Sequence, residues 1–566
     1  MKELILGKIP PHFSPNEHQP ISPSCFLGAE ALYPEWEKLP FVSDPLSAPD
    51  LLKKTALEAN AYFSSLLEEY ADTLNSTNQT ELSLKFWKVF LGPWLSHIVH
   101  NVLQKYIYVQ AFLEKHKAEQ FVVHLPPSEI DWNFINENDF FFRGTLGSYF
   151  NEWLYSLIIR SLKPKNLELC TAPLKEINIP TQQPRSASFI KKLQYRVRCP
   201  ELAGAGMFSR VILSLVLSLK RPIQEPPFVQ NTTTVKSDSL LQVMSCVAAL
   251  STPKAFKQIS LPSQSFTKGK IRLAGTSLTG SDEIARLNYA YAYENGEVLL
   301  PSQHGCYYGT ADCDDFRGAL EYTFGHFISW GWTHPSYSRQ YKMSIIPLPS
   351  PKLSRGGSFF LPKRRKRILM IGASTHSSDL RIESRPRMEQ LLKYRQDKLS
   401  FMQGLSQKNL EYFTYKPYFI SGDGFLGDAS YIRKNAPHIK IESNQSLGSL
   451  IKTTKIAILD HPGTSFYEML AANIPTIGYW DPKSWKMNKE SEASFMPLHE
   501  CNILFSSPKD AADFLNKSVP NINHWWKSPE VQRARKLWCH QFARHKKLWL
   551  PAWIKALTGI KGPKTL

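Results

Sequence analysis

The sequence predicts an α/β protein of two domains whose second half carries a doubly wound parallel sheet, and three observations carry that prediction. The chain has 566 residues, well beyond the roughly 250 to 300 at which one hydrophobic core stops growing. From residue 367 to 516, apolar runs of four to six residues alternate with segments of helical period, the pattern of βαβ units. Hydrophobic residues make up 42% of the chain and charged residues 21%, which excludes collagen-like, disordered and coiled-coil classes.

In chain order, apolar residues at three- and four-residue spacing predict helices over residues 48–70 and 81–117, the second kinked or split at Pro93. QFVVH, residues 120–124, reads as a buried strand and residues 140–161 as a helix. Residues 170–239 are rich in Pro, Thr, Lys and Gln around one apolar segment near Ile212, so no element is assigned there. A helix over residues 282–294 and a strand over 298–302 lead into QHGCYYGTADCDD. A strand followed by a glycine loop is where open α/β sheets place functional groups. Prolines and glycines over residues 347–357 mark a boundary. The expected division is 1–346, a helix-rich α/β domain; 347–366, a linker; 367–520, a Rossmann-like domain; and 521–566, terminal helices. Within 367–520 the predicted strands are RILMIG, residues 412–418, HIKI, KIAIL, PTIGYW and NILF. The terminal helix over 529–547 places Val531, Ala534, Leu537, Trp538 and Phe542 on one stripe.

The net charge of +19 and a pI near 9.3 point to an anionic partner. The basic residues are scattered apart from Lys363-Arg364-Arg365-Lys366-Arg367, which suits a solvated linker or an anionic membrane surface. No nucleic-acid module is recognisable, so no nucleic-acid partner is expected. Eight cysteines without a CxxC pair read as reduced thiols. The Leu-Ile-Leu run at residues 4–6 is too short for a signal peptide, and the apolar stretch of residues 211–219 falls short of the ~20 needed to span a bilayer. The expected location is the cytoplasm, with peripheral contact at the inner face of the cell membrane.

The most informative segment is KIAILDHPGTSFYEMLAANIPTIGYW, residues 455–480. A strand ends at Asp460 and a helix opens near Thr464 or Ser465, leaving unpaired N–H groups and the positive end of the helix dipole where a phosphate could sit. Gly463 would let the backbone approach a diphosphate, and Glu468 lies one turn on. Ser465 to Glu468 equally fits a capping box, in which the same side chains satisfy the helix end. Asp312-Cys313-Asp314-Asp315 has the spacing of a metal-binding carboxylate motif but lacks the strand context, so a solvated acidic turn is expected and no metal site.

Asp-x-x-Gly-Thr-Ser-x-x-Glu-x-Leu-Ala-x-Asn-x-Pro from Asp460 resembles the donor-site segment of GT-B-type glycosyltransferases, which have two Rossmann-like domains facing a cleft. FLGPWL at residues 90–95, Gln303-His304-Gly305 with Tyr308-Gly309, Trp330-Gly331-Trp332 and INHWWKSPEVQRA from Ile522 make the chain similar to a transferase family encoded in O-antigen and other surface-polysaccharide loci. The resemblance implies a GT-B-like fold with extra N-terminal helices. It also implies transfer of a sugar from a nucleotide-sugar donor to a surface glycan or its lipid-linked precursor, with that donor as co-substrate, no further cofactor and no bound metal. Asp460, Gly463, Thr464, Ser465 and Glu468 would lie at the donor, and Gln303, Gly305, Tyr308, Trp330 and Trp332 on the acceptor side. The His-Gly loop resembles the one that supplies the base in alditol-phosphate polymerases, so His304 is the expected general base. Phosphotransfer from a CDP-alditol is the alternative chemistry, and a basic nucleic-acid-binding protein the non-enzymatic one.

Overall fold

The structure is a computed structural model. It describes the chain apart from residues 176–196, 229–234, 236–237, 261–264, 281, 356–364, 374–375, 377–378, 388, 419–423, 426 and 563–566. Much of the unassigned segment before Ser239, much of the linker, and Lys363 and Arg364 of the basic run therefore lie outside the described residues.

Among the described residues every paired strand is parallel. The first sheet has the order β2-β1-β3-β4, formed by β1 (Lys2–Ile5), β2 (His18–Pro20), β3 (Phe121–Leu125) and β4 (Leu167–Thr171). Next, β5 (Ile271–Ala274) pairs with β6 (Val298–Pro301), and β7 (His326–Ser329) with β8 (Ser344–Pro347). A single parallel bridge between Ser302 and Ile328 joins the two pairs. The third sheet has the order β10-β9-β11-β12-β13, from β9 (Arg367–Ile371), β10 (Phe413–Lys416), β11 (Thr454–Leu459), β12 (Thr476–Tyr479) and β13 (Leu504–Phe505). Parallel neighbours need crossovers, and the helices between these strands cover both faces, which is why β6, β10 and β12 are buried at every residue.

The α/β class and the Rossmann-like second half are as expected. The N-terminal half differs in detail, dividing its strands between two sheets. The N-terminal Leu-Ile run, considered above only as a signal sequence, is a central strand, because Lys2 and Glu3 pair with β3 and Glu3 to Ile5 with β2. Helix Leu84–Lys115 runs through Pro93 without a break. Its central turns are buried on all sides, so packing outweighs the hydrogen bond that proline removes. HIKI contributes only an isolated bridge from Ile441 to Tyr415, and Leu537 of the predicted stripe faces solvent. No described helix is long and apolar enough to cross a membrane.

In the third sheet the strand order reverses between β9 and β11. Ligands of open α/β sheets bind outside the carboxyl ends of the strands at such a switch point. The turn after β11 leaves the sheet at this carboxyl edge.

Candidate active site

Two loops far apart in sequence meet here. Leaving β6, the chain turns through Gln303, His304, Gly305 and Cys306, and the Cys306 N–H donates to Thr464 Oγ1 at 3.1 Å. A Cβ on Gly305 would lie 3.5 Å from the same oxygen. The predicted His-Gly loop thus abuts the first residue of helix Thr464–Ala471.

His304 is mostly buried and engaged on one edge. Its Nε2 lies 3.2 Å from Glu321 Oε1 and 3.4 Å from Thr279 Oγ1, and contacts the Tyr308 hydroxyl, which donates to Glu321 Oε2 at 2.7 Å. Glu321 is wholly buried. A carboxylate oxygen accepts, so the Glu321 contact favours the tautomer with the proton on Nε2 and the lone pair on Nδ1. Glu321, which favours this tautomer, is a residue that no motif in the sequence marks. The Arg317 guanidinium caps the Tyr308 ring 4.6 Å from its centroid.

On the opposite side, the cap of helix Thr464–Ala471 is Gly463, which offers no side-chain bond. That register excludes the capping box, which needs Ser465 at the cap and Glu468 three residues on. Glu468 instead pairs with Lys352 at 3.1 Å, both side chains partly exposed. The space left by the missing Cβ of Gly463 is taken by the His461 ring, whose Nε2 would lie 2.2 Å from a Cβ there. Asp460 is buried at the end of β11, with Lys398 Nζ at 3.3 Å and His461 Nδ1 at 2.8 Å. Burial works against its charged form, yet Lys398 and His461 outweigh it and hold the carboxyl below its usual range.

Trp485, whose ring stacks on that of Tyr307 in the His304 loop at 5.8 Å and lies 6.2 Å from the His461 ring, also lines a neighbouring cleft of about 420 Å³ together with His376, Arg381, Glu383, Arg385 and Arg387 among others. Arg387 is tied to Asp44 at 2.9 Å and to Asp379 at 3.1 Å. Arg381 stacks on Phe316 at 3.9 Å, and Arg385 pairs with Glu383 at 2.9 Å. Burial alone would raise Glu383, but Arg385, Arg381 and Arg317 hold it at about 2. Arg385 also acts electrostatically on Cys306 and Tyr307, which follow His304 in the chain. The signal was legible: RIESRPR, three arginines in seven residues shortly after the first strand of the Rossmann-like half.

Several expected cleft residues are packing residues. Gln303 is buried, and its Oε1 accepts from Trp330 N–H at 2.7 Å and Trp332 Nε1 at 2.9 Å. Both tryptophans are fully buried, so neither presents a surface to an acceptor. Gly331 between them has φ +127°, and a Cβ there would lie 2.5 Å from the His540 carbonyl oxygen. Asp312 pairs with Lys53 at 2.6 Å and Lys486 at 3.4 Å, Asp314 with Arg317 at 2.5 Å, and Asp315 accepts from Tyr341. This acidic turn is therefore an ion-paired, largely buried knot, where a solvated one was expected. Burial pushes Asp314 up to about 7. No cluster of three His, Cys, Asp or Glu suited to a metal ion occurs among the described residues.

The class these observations define is a parallel α/β protein in which a histidine loop meets a helix start next to an arginine-lined cleft. The chain belongs to the LIC12162 transferase family, whose description matches residues 2–557. No curated protein matches it. Among solved structures, it is similar to the wall teichoic acid polymerase TagF at 11% identity, covering 48% of this chain and 74% of that one with a TM-score of 0.28. It is likewise similar to an α,α-trehalose 6-phosphate synthase from Burkholderia multivorans at 8% identity, covering 51% and 69% with a TM-score of 0.30. Likenesses this loose carry no residue roles.

Proposed function

We propose that the protein is a glycosyltransferase that moves a sugar from a nucleotide-sugar donor to a hydroxyl of a surface glycan or its lipid-linked precursor at the cytoplasmic side of the membrane. The observation that carries the reading is the junction of the His304 loop with the start of helix Thr464–Ala471. In this reading the His304 loop supplies the base, and the positive end of the adjoining helix and the arginines of the neighbouring cleft receive the leaving anion. The acceptor oxygen attacks the anomeric carbon as its proton passes to His304 Nδ1, and the bond from that carbon to the diphosphate oxygen breaks. The nucleoside diphosphate leaves with the bonding pair, its charge met by Arg385, Arg381 and the N–H groups of Thr464 and Ser465. Asp460 fixes the strand end through Lys398 and His461, and Glu468 flanks the donor together with Lys352.

Calorimetry with UDP, GDP, CDP, CMP and dTDP tests this. Base-selective binding that weakens by ten-fold or more in Arg385→Ala, a loss of roughly 1.4 kcal/mol or more, is expected, and absence of binding by every nucleotide would overturn it. The His-Gly loop also favours a second reading, alditol-phosphate transfer from a CDP donor. Product analysis separates the two, because that reaction releases CMP and leaves the phosphate on the acceptor.

A further inference from the structure

Helix Met207–Leu219 packs only one side against the protein. Leu213 and Leu217 are buried in a cluster with Trp553 and Leu557 of helix Leu550–Gly559 and with Ile271, Leu273, Val298 and Leu300 of β5 and β6. The Lys220 ammonium then ties the two helices, donating to the Thr558 and Ile560 carbonyls at 3.0 and 2.7 Å. The other side of the helix is apolar and bare. Phe208 is 76% exposed, Leu215 58% and Leu219 86%, with Met207 and Val211 beside them, and Leu548, just before the neighbouring helix, is 70% exposed. These residues recur at three- and four-residue spacing, so they form one continuous face. Scattered exposed leucines are ordinary; a whole helical face of them is not.

Charge identifies what this face meets. Residues 202–224 and 531–566, which contain the two helices, hold twelve lysines and arginines and no aspartate or glutamate. Arg221, Lys546, Lys547, Lys555 and Lys561 are exposed. An apolar face rimmed by cations and free of acids suits the boundary of a bilayer with anionic headgroups. The acyl region takes the leucines, the phosphates take the lysines, and a tryptophan at the edge, here the half-buried Trp549, completes the pattern. We infer that helix Met207–Leu219, with the start of helix Leu550–Gly559, docks this protein on an anionic lipid surface, lying in the interface without crossing it. The same β5–β6 pair that seats the helix carries the His304 loop at its carboxyl end, so docking would hold the crevice near lipid-borne acceptors.

The inference stands apart from the donor-site reading, because the test needs no nucleotide. Full-length protein is sedimented with vesicles of phosphatidylglycerol and phosphatidylcholine, and with phosphatidylcholine alone. The double variant Phe208→Ser, Leu215→Ser and the variant Lys546→Glu, Lys547→Glu are run in parallel, and thermal melts confirm that both remain folded. Expected is binding to the anionic vesicles, weakened about ten-fold or more by the apolar variant and made salt-insensitive and weaker by the charge variant. No binding to either vesicle, or binding that the serine variant leaves unchanged, overturns the inference. So does a wild type that self-associates without lipid and becomes monomeric in the serine variant, which would assign the face to a second copy of this chain.

Discussion

At the scale of single residues, the decisive relation is between His304 and Glu321. Because Glu321 touches neither donor nor acceptor in the proposed reaction, it is a positioning residue. Glu321→Gln keeps the shape but can present an amide N–H to Nε2, which favours the tautomer with its lone pair on Nε2, held against residue 321, and the proton on Nδ1. Turnover is expected to slow by about a hundred-fold or more while KM changes little, whereas a merely structural role would lower the melting temperature and leave the pH profile alone. Gly331 gives a second prediction of a different kind. Alanine there must take φ +127° and push against two backbone carbonyls, of His540 and Gln541, so Gly331→Ala should destabilise the protein by about 2 to 4 kcal/mol in denaturant titrations.

At the scale of elements, the arginine-bearing loop after β9 is pinned by a helix from the other end of the chain. The Ile382 N–H donates to His100 Nδ1 at 3.1 Å from within helix Leu84–Lys115. Burial, helped by Arg381, pushes His100 down to about 3. A histidine held neutral in the folded state contributes stability above its unfolded pKa of roughly 6.5, and that contribution is lost as pH falls toward 3. Melting temperature should therefore drop between pH 6.5 and 4, and His100→Gln, which can still accept the bond, should flatten that drop.

How far such elements were legible in the sequence follows from how strongly their pattern was written. Helices of thirty residues and the strands of the third sheet announce themselves by period and by flanking turns. β2 has three residues and includes a proline, and HIKI satisfies a strand pattern while making a single bridge. Neither case is decided by local sequence. Of the site, His304 and Thr464 were readable as motif residues, but their adjacency is tertiary. Gln303, Trp330 and Trp332 looked like cleft residues because large aromatic and amide side chains serve packing and recognition equally; only burial tells them apart.

At the scale of the whole molecule, a nucleotide bound across the crevice would bridge both halves of the protein. Any ligand that binds only the folded state stabilises it by RT ln(1 + [L]/Kd), about 2.7 kcal/mol at one hundred times Kd. The preferred nucleoside diphosphate should raise the melting temperature of the wild type by one or two degrees and leave Arg385→Ala nearly unmoved, read by differential scanning fluorimetry.

The Trp330-Gly331-Trp332 turn carries a consequence for how the site comes into being. Its carbonyl at Trp330 accepts from the Arg544 N–H at 2.8 Å, its glycine seats the carbonyls of His540 and Gln541, and its two tryptophans anchor Gln303 beside His304. During synthesis the His304 loop emerges from the ribosome long before residues 540–544 exist. Until they are made, the turn has nothing to close against and the histidine loop lacks its final seat, so a nascent chain would hold an unfinished crevice and acquire its chemistry late.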